Sequence, residues 1–181
     1  AGGGLPSFMV VTAGERSAHA DAWATERPLR PGDLVRFDVG CTLDGYWSDV
    51  GRTAVVGEPS AEQAERYAAI RAGEDEQLRM LRGGVAARDV FRTAVEVVER
   101  GGVAPYHRHH CGHAIGLEIY EPPFVTAASE DRLEPGMVLC LETPFYELGW
   151  GGMMVEDTVL VTEDGYERYT DADRDLVVIE A

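Results

Sequence analysis

Four carboxylates stand where a carboxylate is costly. Asp38 closes the apolar run LVRFDVG, Glu142 closes VLCLETP, Asp49 lies in YWSDV and Glu156 in MMVED. An acid inside an apolar strand needs a cation or several hydrogen-bond donors, and four together repel one another strongly enough to hold protons. Any one of them is as well explained by a turn cap or an ion pair. The set points instead to metal, because the acids fall in a repeated pattern. His113, set off by glycines in GHAIGLEIYEPP, supplies a nitrogen. Four carboxylates and one imidazole suit a pair of divalent ions, Mn or Co foremost, with Zn or Fe as alternatives. Two such ions about 4 Å apart share a water, lower its pKa and hold both ends of a hydrolytic transition state.

The repeat also predicts the elements that carry these groups. RPGDLVRFDVG (30–40) matches EPGMVLCLETP (134–144), so that Asp38 falls on Glu142. SDVGRTAVV (48–56) echoes VEDTVLV (155–161), bringing Asp49 close to Glu156. Pro-Gly turns and β-branched strands recur by chance. Acids at matching places inside them do not. Each copy reads as a strand-turn-strand unit: a strand over 34–39, a turn at Asp44-Gly45 and a returning strand over 46–56 in the first, and a closing hairpin at Asp164-Gly165 after the second. A short buried strand is expected at 8–12, followed by a polar loop carrying His19. Ser60 with Gln63 forms a capping box that opens a helix over 61–81, stopped by Gly83-Gly84. A second helix over about 88–100 has Val90, Phe91, Ala94 and Val98 on its apolar stripe.

The chain has 181 residues, 45% hydrophobic and 27% charged, which fits one domain over 1–181. Its net charge of -16 repels phosphate backbones, so nucleic acid is excluded as a partner. No apolar run approaches the roughly 18 residues of a membrane span. Cys41, Cys111 and Cys140 lack metal or redox spacing, and no signal peptide precedes them. They read as reduced core thiols of a cytoplasmic protein.

With these residues in place the chain resembles the catalytic domain of the pita-bread (M24-type) metallopeptidases, the group of methionine aminopeptidases, Xaa-Pro aminopeptidases and prolidases. The text that carries the resemblance is GDLVRFDVGCTLDGYWSDVGRT, HHCGHAIGLEIYEPP, LEPGMVLCLETP and VEDTVLVTEDG. The family's ligand order of Asp, Asp, His, Glu, Glu maps onto Asp38, Asp49, His113, Glu142 and Glu156. The resemblance implies an α+β fold with an internal pseudo-two-fold repeat, a curved antiparallel sheet holding the metals and helices outside. Glu142 becomes the general base and then acid as well as a ligand. His19 matches a substrate-side histidine, and His109 a histidine of the proline-specific members. Tyr120 stands where the family usually has histidine, and Met154 where prolidases often have arginine. The resemblance also implies leading helices that this chain lacks, and a homodimer. The activity it implies is exopeptidase cleavage at the N-terminal bond of a peptide substrate, of Xaa-Pro type. Alternatives are a creatinase-like hydrolase of a small amidine or amide and a non-catalytic peptidase-like binding protein; creatinase-like members lose the acid ligands, and a binding module needs no such costly inward groups.

Overall fold

The structure, a computed structural model, describes residues 4–180; Ala1–Gly3 and Ala181 lie outside them. In chain order the elements are β1 (Leu5–Ala13), a 3-10 turn (Gly14–Ala18), β2 (Leu34–Leu43), β3 (Tyr46–Trp47), β4 (Val50–Val56), α1 (Ala61–Met80), α2 (Ala87–Arg100), β5 (Gly112–Ala114), β6 (Glu121–Phe124), β7 (Val138–Glu142), β8 (Phe145–Glu147), β9 (Gly151–Met153), β10 (Glu156–Val161), β11 (Tyr166–Arg168) and β12 (Val177–Ile179). One antiparallel sheet runs β1-β2-β4-β10-β7-β5-β6, with β3 added on β2 and β11 on β10. β12 joins β4 in parallel, and β8 pairs β9 separately. Strands and helices pack as the expected α+β pita-bread architecture, with α1 and α2 against the sheet.

The repeat is visible as two strand pairs, β2 with β4 and β7 with β10. They meet where Glu156 on β10 faces Gly51 on β4. Asp38 pairs with Gly51, and Glu142 with Glu156. The symmetry mate of Glu156 is therefore Gly51, and Asp49 stands two residues earlier on the same face.

The capping box forms as expected: Ser60 Oγ accepts from the Gln63 amide at 3.1 Å and Gln63 Oε1 from the Ser60 amide at 2.9 Å. Ile70, Leu78, Val90, Ala94 and Val98 of the helices share one core cluster with Leu139, Leu141 and Val159 of the sheet. Gly73 lets α1 approach α2, since a Cβ there would collide with Val98.

Two local expectations need correction, and one strand was not expected. The strand expected over 8–12 is longer and mostly exposed, because β1 is the sheet's edge and has a neighbour on one side only; Met9 is 69% exposed. The return expected as one strand over 46–56 breaks after Trp47. Ser48 donates its amide to the Cys41 carbonyl and accepts the Cys41 amide on Oγ, which takes this stretch out of the ladder. β12 carries no turn signal or alternation strong enough to announce it.

Behind the sheet lies a buried charge network. Asp157 follows Glu156 and points to the opposite face, where Arg52 donates to Oδ1 at 2.6 Å and Arg174 pairs with Oδ2 at 2.8 Å. Arg174 also binds Glu74 of α1 at 2.6 Å and Asp75. Glu74 and Asp157 are both fully buried, so they depend on these partners. Arg174→Ala should therefore cost about 3 kcal/mol of unfolding free energy. Arg71→Ala, which removes a solvent-facing pair to Asp175, should cost less than about 1 kcal/mol. Urea unfolding of the two variants checks the contrast.

Candidate metal centre

Sheet register brings the expected ligands together. Directly opposed residues on neighbouring strands point to the same face. The line Asp38, Gly51, Glu156, Glu142 across β2, β4, β10 and β7 thus places three acids on one face. Asp49 joins them two residues before Gly51. His113 on β5 faces Cys140 on β7, two residues before Glu142, and so shares that face too. Gly112 makes this close pairing feasible: its φ is +147°, and a Cβ there would collide with the Cys140 carbonyl.

The donor atoms of Asp49, His113, Cys140 and Glu156 lie within 4.8 Å of one another. His113 Nε2 is 3.8 Å from Asp49 Oδ2. Its Nδ1 lies 3.0 Å from the Ala114 carbonyl, to which it donates, so Nε2 presents a lone pair to the acids. Asp49 Oδ1 and Glu156 Oε2 are buried with no hydrogen-bond partner. Buried acceptors facing only other acceptors call for a cation, and the residues fit a divalent metal on these grounds.

Asp38 and Glu142 flank that cluster with partners of their own. Arg36, fully buried, donates to Asp38 Oδ2 at 3.1 Å. His110 Nε2 reaches Glu142 Oε1 at 2.7 Å, and Arg108 lies 3.7 Å from Oε2. The acids are accordingly held in different protonation states. Burial, then Asp38 and Glu142, push Asp49 up to about 8. Burial lifts Asp38 to about 6 against the pull of Arg36. Burial and the surrounding acids carry Glu156 well above the usual carboxylate range. Burial also works against ionised Glu142, but the His110 hydrogen bond and the charges of Arg108 and the histidines outweigh it and hold the carboxyl below its ordinary value.

The other candidate residues are placed as follows. Tyr120 is half exposed, its ring 4.3 Å from that of His113. Burial and the nearby acids raise its phenol, which stays protonated. His109 is exposed and meets His110 at 3.2 Å, Nδ1 to Nδ1. The histidine of this loop that touches Glu142 is therefore His110, which the sequence did not distinguish from its neighbours. His19 is exposed; its carbonyl and that of Ala20 accept from Arg36 Nη2 at 2.8 Å each. Met154 has Arg36 beside it, Nη1 to Sδ 3.7 Å, so a guanidinium reaches this spot from β2. Arg36 had a sequence signal: strand alternation sets it on the same face as Asp38. Tyr146, between Arg36 and Arg108 with its ring 5.2 and 5.6 Å from their guanidinium carbons, had none.

This architecture has relatives. The sequence profile of Metallopeptidase family M24 matches residues 1–163, and the chain belongs to that family. It is 35% identical over 173 residues to the Xaa-Pro dipeptidase of Pyrococcus furiosus, covering 95% of this chain and 50% of that protein. The crystal structure of dipeptidase PepE from Mycobacterium ulcerans superposes with a TM-score of 0.93 at 34% identity, over 97% of this chain and 48% of that one. X-Pro aminopeptidase from Thermotoga maritima gives 0.89 at 29% identity, over 94% and 49%. The chain spans about half the length of the curated relatives it matches. No helix among the described residues is long and apolar enough to cross a membrane.

The raised carboxyls set a pH dependence. An unfolded Asp ionises near 3.8, whereas in the folded, metal-free chain Asp38 and Asp49 ionise near about 6 and about 8. Between these limits the unfolded state has lost protons that the folded state retains, so metal-free stability falls as pH rises from about 4 to about 8. Metal replaces those protons. In EDTA the Tm should fall across this interval; saturating Mn should remove the fall, with a metal-induced rise in Tm that grows with pH. A metal-free Tm that climbs steadily would contradict this electrostatic account.

Proposed function

We propose that this chain carries the centre of a dinuclear, metal-dependent peptidase that removes the N-terminal residue ahead of proline. The observation that carries the proposal is the convergence of His113 with the buried, unpartnered oxygens of Asp49 and Glu156, flanked by Asp38 and Glu142, in an M24-family fold. The names of the relatives, Xaa-Pro dipeptidase and X-Pro aminopeptidase, support the bond and the proline preference. Asp38, Asp49, His113, Glu142 and Glu156 would hold the two ions, Mn or Co being the proposed pair. When bound, such ions supply Lewis acidity and a nucleophile available near neutral pH.

The chain's own groups then divide the proton chemistry. Glu142, the one acid of the four held below its ordinary value, is ionised and can take a proton from the attacking water and return it to the departing proline nitrogen. His110 fixes Oε1 of that carboxylate, and His109 braces His110 through Nδ1. Tyr120, held protonated beside His113, can donate its phenolic hydrogen to the carbonyl oxygen as negative charge develops there. A phenol gives up its proton less readily than imidazolium near pH 7, so Tyr120 serves as a hydrogen-bond donor and leaves proton transfer to Glu142.

Hydrolysis of Xaa-Pro and Met-Ala peptides by the Mn- or Co-loaded protein tests this reading. Metal-dependent cleavage of the Xaa-Pro series, abolished by Asp38→Ala, is expected; no cleavage of either series by a metal-loaded protein would refute it. His110→Asn should lower kcat by about a hundredfold, and His109→Asn by much less. Tyr120→Phe should lower kcat by about tenfold with metal content unchanged. Unaltered turnover would reduce Tyr120 to a packing contact on His113.

A further inference from the structure

Cys140 is the one member of the converging cluster with no role so far. It lies on β7 two residues before Glu142, facing His113 across β5 and Thr158 across β10, and is fully buried. Its sulfur sits within 4.8 Å of the donor atoms of Asp49, His113 and Glu156. Among the described residues its hydrogen-bonding partner is Thr158 Oγ1 at 3.4 Å. That hydroxyl's proton is already given to the Asp49 carbonyl at 2.7 Å, so Thr158 can only accept from the thiol. Thr158 therefore gives no hydrogen bond to the sulfur lone pairs. The imidazole offers a lone pair as well, since its Nδ1 proton goes to Ala114, and one oxygen each of Asp49 and Glu156 is orphaned. One nitrogen, one sulfur and two carboxylate oxygens thus converge, each an atom type that can bind a cation.

We propose that Cys140 is a metal ligand, making one of the two ion positions a mixed Asp49–His113–Cys140–Glu156 site that takes a thiophilic divalent ion, Zn(II), Co(II) or Fe(II), in preference to Mn(II). The proposal rests on the metal-centre reading above and refines it. Binding replaces the thiol hydrogen: the S–H bond is lost, a sulfur–metal bond forms, and the proton leaves to solvent. A thiolate in the set shifts selectivity because soft sulfur gains more from Zn(II) or Co(II) than from the harder Mn(II), which suits an all-oxygen and imidazole set.

The test is spectroscopic and uses Co(II) and Zn(II) on the whole protein. The Co(II)-loaded protein should show a sulfur-to-cobalt charge-transfer band in the near ultraviolet, lost in Cys140→Ser and kept in Cys41→Ser and Cys111→Ser. X-ray absorption of the Zn(II) form should show a sulfur neighbour at about 2.3 Å. Cys140→Ser should weaken Zn(II) binding by at least about tenfold while leaving Mn(II) binding unchanged. Uptake of Co(II) with neither the band nor the sulfur neighbour overturns the cysteine assignment and leaves the peptidase reading intact. A protein that takes up no Co(II), Zn(II) or Mn(II) overturns both. Equal weakening of Mn(II) and Zn(II) by Cys140→Ser, without a sulfur signal, would mean that the thiol is only a packing group.

Discussion

The structure is organised around a cluster of buried carboxyls that the protein's own cations satisfy only in part. Asp38, Asp49, Glu142 and Glu156 share one face of the sheet, with the His113 lone pair among them. Adjacent residues of β10 show two solutions to the same problem. Asp157, on the far face, is met by Arg52 and Arg174 and becomes a structural ion cluster. Glu156, one residue earlier, keeps a buried oxygen with no partner. Meeting Asp157 with arginines and leaving Glu156 without one is what distinguishes a framework from a candidate binding site here.

Holding such a site requires a rigid backbone, because its acids would otherwise move apart or turn to water. The sheet supplies that through register. Thr53 Oγ1 donates to the Met154 carbonyl and accepts the Met154 amide, fixing the segment that leads into Glu156. Gly51 leaves room for the Met154 side chain between the two repeat halves, since a Cβ there would collide with its Cε. The arginine cluster anchors α1 and the C-terminal stretch behind β10 and β4. Its stability and the site's geometry are therefore coupled through two strands.

What the sequence made legible follows from periodicity. Acids within apolar runs, the repeat that aligns Asp38 with Glu142, and the capping box at Ser60 are local patterns, and local patterns survive folding. The break at Ser48, the exposure of β1 and the pairing of β12 depend on neighbours distant in sequence. The loop HRHH shows the limit most clearly. Spacing alone set His109 beside the ligand histidine, but which imidazole turns toward Glu142 depends on the path of an irregular segment, and it is His110. Arg174 was silent for a related reason: its value lies in three acids from two other elements.

Arg36 carries the most consequence for substrate. Met154 leaves the position two before Glu156 without a charge, and a bidentate cation is what recognition of a free substrate carboxylate normally uses. Arg36 brings a guanidinium to within 3.7 Å of the Met154 sulfur, so the charge is present in the neighbourhood. It is not free, however. One terminal nitrogen binds Asp38 and approaches the Tyr146 hydroxyl, the other is divided between the His19 and Ala20 carbonyls, and the side chain is fully buried. A guanidinium so committed cannot turn its fork to a ligand without releasing Asp38. Arg36 therefore acts as a clamp that joins the segment bearing His19 to Asp38. The cation that this chain holds near Met154 is thus spent on Asp38 and on the segment bearing His19.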